Sequence, residues 1–161
     1  MNTRSVTERR AAETQLRTLI TQFSPAHQRL VDTTRRWLRK RLPTAHEVVY
    51  GYSDCFVVSF SPSEHGYEGV FAIRGDGGGI KLYFNRGKGL PDPEKLLRGS
   101  ATQVRWIQLE GGSTLTRPAV VALVDEAMAR NRVPFASAGR GRVIIRSASP
   151  KPPKPRRAKG D

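Results

Sequence analysis

Cysteine is nearly absent from this chain of 161 residues, Cys55 being the single one, which excludes an intramolecular disulfide and any cysteine-based zinc finger. No apolar run approaches the roughly 18 residues that a membrane-spanning helix needs. The opening Met1-Asn2-Thr3-Arg4 leads into polar sequence with no apolar stretch, so no secretory signal is expected and the default expectation is a soluble cytoplasmic protein. Acids are scarce at both ends. Residues 1–42 hold ten Lys and Arg against Glu8, Glu13 and Asp32, and residues 136–161 hold eight bases against Asp161 alone. Metal-ligand spacing is missing too. His27, His46 and His65 are scattered, with no HExxH and no EF-hand loop, so neither a metal site nor a cofactor is expected.

The centre is different. Residues 43–135 carry ten bases and ten acids, so the net charge of +14 resides in the two ends. Such basic blocks attract nucleic acid, anionic surfaces or acidic proteins, and they also keep a protein in solution. With 37% hydrophobic and 26% charged residues, the chain has the composition of one ordinary globular domain.

Periodicity predicts a helix over 5–23, with Ser5 and Glu8 at capping-box spacing and Leu16, Leu19, Ile20 and Phe23 on its apolar face. Ser24-Pro25 starts a second helix to about Arg41, with Leu30, Val31, Trp37 and Leu38 inward and Arg29, Arg35, Arg36 and Arg39 outward. Strands follow over 47–52, 54–60, 67–73 and 79–84, rich in Val, Ile, Phe and Tyr and joined by short turns that favour antiparallel pairing. One or two helical turns are expected within 91–97, a strand over 102–109, and a last helix from Thr116 as cap through Arg130. A β segment over 139–145 is a further option. The expected fold is α+β: a mainly antiparallel sheet of about five strands flanked by helices, with a disordered basic C-terminal tail. Its parts are a docking helix (5–23), a domain (24–133) and a proline-rich tail (136–161).

No catalytic constellation stands out. The Gly75–Gly79 cluster lacks the lysine and hydroxyl of a phosphate loop, no GxSxG elbow occurs, and Cys55 has no visible basic setting. A non-enzymatic protein is therefore expected. The segment 85–93 is the richest candidate for a small-ligand site. Asn85, Arg86, Lys88 and Asp92 lie there on glycine-rich chain, with Arg105 on the strand beyond. The alternative is that the glycines turn the chain and the charges are merely solvated. For nucleic acid the candidates are Arg140, Arg142, Arg146, Lys151, Lys154, Arg156, Arg157 and Lys159. They offer cations without rings, so binding through them would be indifferent to sequence. Arg35, Arg36 and Arg39 would add contacts if their face is open.

The ordered string Phe84-x-x-Gly87-x-x-Leu90-x-Asp92-Pro93-x-x-Leu96-Leu97-x-Gly99, followed by Val104-Arg105, resembles the YdhG-like domain family, small bacterial domains of largely unassigned function. Tyr50-Gly51-Tyr52, Phe60-Ser61-Pro62 and Val70-Phe71-Ala72-Ile73 are similar to it as well. The resemblance covers about residues 26–130 and implies a compact α+β domain. It implies two roles: a non-catalytic domain binding a small ligand or partner protein, or an iron chaperone for iron–sulfur assembly like the frataxin-like members. Departures follow the motif. Gly99-Ser100-Ala101-Thr102 stands where the family often has Gly-x-Gly-Lys, and Trp106 follows Arg105 where it often has histidine. Iron delivery relies on clustered carboxylates, which the basic N-terminal region lacks.

Overall fold

The computed structural model describes residues 3–147. Helix α1 (Thr3–Ile20) is followed by α2 (Pro25–Arg41), where Ser24 Oγ accepts the His27 N–H at 3.2 Å and Pro25 occupies the first turn. Strands β1 (His46–Gly51), β2 (Phe56–Ser61), β3 (Phe71–Asp76), β4 (Gly79–Phe84) and β5 (Arg105–Leu109) come next, then α3 (Pro118–Ala129) and β6 (Val143–Ser147). They form one sheet in the order β5-β4-β3-β2-β1-β6. All neighbours are antiparallel except β1 and β6, which run parallel.

Alternation and register put one residue set on the helix-covered face: Val49, Val58, Phe60, Phe71, Ile73, Ile80, Leu82 and Phe84. Leu16 and Ile20 of α1, Leu30, Val31 and Leu38 of α2, and Val120, Leu123 and Val124 of α3 join the same core. The opposite face carries Tyr50, Arg74, Lys81, Tyr83 and Trp106, with Tyr83 stacked on Trp106 at 6.2 Å between centroids. Among the described residues, no helix is long and apolar enough to cross a membrane.

The α+β architecture agrees with the sequence expectation, and several details correct it. The sheet has six strands, because the 139–145 segment supplies a true strand, displaced to Val143–Ser147. The domain thus continues past 133, and residues 136–147, expected in the tail, belong to it. The remainder of the expected tail lies outside the described residues. Helix α1 stops at Ile20, and the turn after it closes through Phe23 N–H to the Ile20 carbonyl at 3.1 Å.

The strand expected over 67–73 begins only at Phe71. Before it, Gly66–Glu68 is a tight helical turn, pinned by the Ser59 hydroxyl on the Gly66 carbonyl and the Ser61 hydroxyl on the His65 carbonyl. No helix forms at 91–97. Asp92 instead accepts the backbone N–H groups of Leu96 and Leu97, at 2.8 Å each, making a side-chain-capped turn. Thr116 caps nothing in α3, because its hydroxyl donates to the Ser113 carbonyl in a preceding short turn. Trp37 is only partly buried, its ring covered by the Arg41 guanidinium at 4.3 Å.

Candidate nucleic-acid interface

Helical spacing and strand alternation together bring charge inside. Arg35 and Arg39 stand four residues apart on α2 and so share a face. Glu47 has the same parity on β1 as Val49, which turns it toward the helices. Arg35, expected at the solvent side, is therefore buried, at 3% exposure. Its Nε donates to Glu47 Oε1 at 2.8 Å, and Nη1 and Nη2 donate to the two Glu13 oxygens at 2.9 Å each. Arg39 Nε closes on the other Glu47 oxygen. Arg17 links the network to Asp32, with Nη2 to Oδ1 at 2.9 Å. The hydrogen bond from Arg35 holds the Glu13 carboxyl below its ordinary range, against the upward push of burial. Burial alone would loosen the Arg35 proton, but Glu13 and Glu47 outweigh it and hold it more firmly.

Above this network lies a groove of about 480 Å³ between α1, α2, the start of β1 and residues 139–143. Five arginines line it: Arg9 and Arg10 from α1, Arg39 from α2, and Arg140 and Arg142 from the chain entering β6. The two carboxylates in its wall, Glu13 and Glu47, are already engaged by Arg35 and Arg39. Arginines of α1, α2 and the chain entering β6 thus meet in one concave surface, where low-dielectric walls strengthen the field toward an approaching anion.

Residues 136–142 are fastened to the lip of that groove. Thr44 Oγ1 donates to the Ala136 carbonyl at 2.8 Å, and Glu47 N–H donates to the Arg142 carbonyl at 2.8 Å. The Arg142 N–H donates to His46 Nδ1 at 3.1 Å, which requires His46 to be unprotonated at that nitrogen. Burial, and then the Arg142 charge, lower the His46 pKa below 6.5, while Glu64 opposes them. A histidine with a depressed folded pKa stabilises fully above the unfolded value and loses that contribution as pH falls through the folded one. Amide exchange at 143–147 is accordingly expected to accelerate as pH drops below about 6.5, once corrected for intrinsic rates. A His46→Phe variant should lack that pH dependence, and identical profiles in both proteins would refute the assignment.

The residues singled out for nucleic acid divide three ways. Arg140 and Arg142 line the groove. Arg146 does not; its guanidinium donates to the Glu64 carbonyl at 3.1 Å and pairs with that residue's carboxylate at 3.3 Å. Lys151, Lys154, Arg156, Arg157 and Lys159 lie outside the described residues.

The small-ligand set also separates. Asn85 Nδ2 donates to the Gly69 carbonyl at 2.7 Å, Arg105 Nη1 to the carbonyls of Ala101 and Val104 at 2.6 and 2.8 Å, and Asp92 is the turn cap already described. These three serve the backbone. Arg86 and Lys88 come together in a second cleft with Gln103, Arg130 and Arg132. Cys55 is buried, and burial pushes its thiol pKa up, away from thiolate chemistry.

Sequence reasoning missed Arg9, Arg10 and the Glu13–Arg35–Glu47 network. One signal was there: an acid at position 47, in phase with the buried residues of an otherwise apolar strand. No family model, curated protein or solved structure matches the chain.

Proposed function

We propose that this chain is a non-catalytic, YdhG-like nucleic-acid-binding domain that grips the phosphate backbone without reading sequence, in a cytoplasmic setting. The observation that carries the reading is the groove in which Arg9, Arg10, Arg39, Arg140 and Arg142 converge from both ends of the chain. Guanidinium forks suit phosphate oxygens, and no aromatic side chain lines the groove to stack on bases. The iron-chaperone alternative has less support. Glu13, Asp32 and Glu47 are each engaged by arginine, and among the described residues no three His, Cys, Asp or Glu side chains converge.

Fluorescence anisotropy on random-sequence DNA and RNA tests the proposal. If about six phosphates are neutralised on duplex DNA, the log–log salt slope is near −5, and a fourfold rise in salt lowers affinity about a thousandfold. Arg10 and Arg140 are exposed and have no partner among the described residues. The double variant Arg10→Ala/Arg140→Ala should flatten the slope by about 2. A truncation after Ser147 separates the groove from the five cations beyond it; cutting at 135 would remove β6 as well. No binding at low salt, or a slope untouched by the double variant, would end this reading.

A further inference from the structure

We propose that the cleft between the 86–88 loop and the C-terminal end of α3 binds a small phosphomonoester. Arg86, Lys88, Arg130 and Arg132 line it together with Gln103 and Asn131, and no carboxylate does. Arg130 is partly compensated, with Nε on Glu126 Oε2 at 2.8 Å. The side chains of Arg86, Lys88 and Arg132 have no partner among the described residues. Like charges on one cleft repel one another, and among the described residues only Arg130 of the four is given an acid, Glu126.

The helix end explains half of the cluster. Arg130 and Arg132 complement the partial negative charge of the α3 carbonyl terminus. Arg86 and Lys88 come from a different element and owe nothing to that dipole. They are held where they are by the loop's own construction. Lys88 N–H donates to the Gln103 carbonyl at 2.9 Å, and Arg130 Nη1 reaches the Gly89 carbonyl at 3.0 Å, tying the loop to the helix end. A Cβ on Gly87 would sit 2.6 Å from Arg105 Cβ, so the loop lies directly against β5. The loop backbone is thus held in place, while the exposed Arg86, Lys88 and Arg132 side chains still lose rotamer freedom when an anion binds.

Size and lining narrow the ligand. The cleft measures about 210 Å³, less than the roughly 300 Å³ at which pockets for drug-sized molecules begin. Val70 and Ala127 give it a small apolar wall, and no aromatic side chain is present to stack on a nucleobase. A phosphoryl group on a compact, hydroxylated body fits that description. The phosphoryl group has two sources, a small phosphorylated metabolite or the terminal phosphate of an oligonucleotide.

Isothermal titration calorimetry on the full chain distinguishes them, using glucose 6-phosphate, glucose, and a short oligonucleotide with and without a 5′-phosphate, at matched chloride ionic strength. Saturable binding of glucose 6-phosphate but not glucose is expected, weakened about tenfold or more by Arg86→Ala and by Arg132→Ala. Both substitutions are on exposed side chains, so melting without ligand should be unchanged. Stronger binding of the 5′-phosphorylated oligonucleotide, lost in the same variants, would identify a nucleic-acid end as the source. The groove variant Arg10→Ala/Arg140→Ala should leave glucose 6-phosphate binding intact, so the two sites fail separately. Absence of saturable binding at millimolar phosphate ester, or equal binding by wild type and both cleft variants, would overturn the proposal.

Discussion

Replacing Arg35 by alanine should remove about 3–5 kcal/mol of stability, because breaking a buried ion pair leaves the partner charges without compensation. Here two carboxylates are left. Glu47, itself 4% exposed, would keep only Arg39, and Glu13 would lose its bidentate contact. For a chain of this size each kcal/mol shifts the melting temperature by about 2–4 °C, so the expected fall is about 6–20 °C. Chemical denaturation checks it directly. The pH dependence supplies a second reading. Glu13 has a folded pKa below 4.5, so its contribution is present above that value and is lost as pH falls through the folded pKa. The variant should have a shallower acid limb than wild type. A loss under about 1 kcal/mol would place the network among solvated pairs that hold little.

Substituting Gly141 by valine should be nearly as damaging and should act on binding as well as on stability. A Cβ there would lie 1.6 Å from the Ala45 carbonyl oxygen and 2.3 Å from its carbon, both backbone atoms with nowhere to go. The chain entering β6 has to lift away. Val143 and Ile145, half-buried against the core, then return to water, for a loss of about 2–3 kcal/mol. Arg140 and Arg142 leave the groove with them. Nucleic-acid affinity at low salt should fall by at least the effect of Arg10→Ala/Arg140→Ala, and limited proteolysis should cut between 136 and 147. Wild-type stability in this variant would mean that β6 is not held by the close approach at Ala45.

The parts of this fold differ in how far the sequence announced them. Hydrophobic alternation identified β4 outright, and the Ser24-Pro25 signal placed the start of α2, because local geometry determines both. The burial of Arg35 was not local. A helix carrying six bases reads as a solvated face until a strand acid from another part of the chain is set against it. Arg86 and Lys88 were legible as a cationic loop, whereas their companions Arg130 and Arg132 sit more than 40 residues away and become neighbours only through the packing of α3. Asn85, Asp92 and Arg105 misled for the opposite reason. Polar side chains in glycine-rich loops often satisfy backbone groups, and only the folded arrangement tells such service from readiness to bind.

The parallel pairing of β6 with β1 also sets an order of events. His46 and Arg142 are 96 residues apart, and everything between them must be made before they can bond. Strands β1 to β5 pair each with the next, so that meander can form early from nearby contacts. The strand that completes the groove arrives last and closes the longest loop. While the chain is being synthesised beside ribosomal RNA, its N-terminal arginines are present but their C-terminal counterparts are not. The full set of groove arginines is therefore present only after residues 140–143 have been added to the chain.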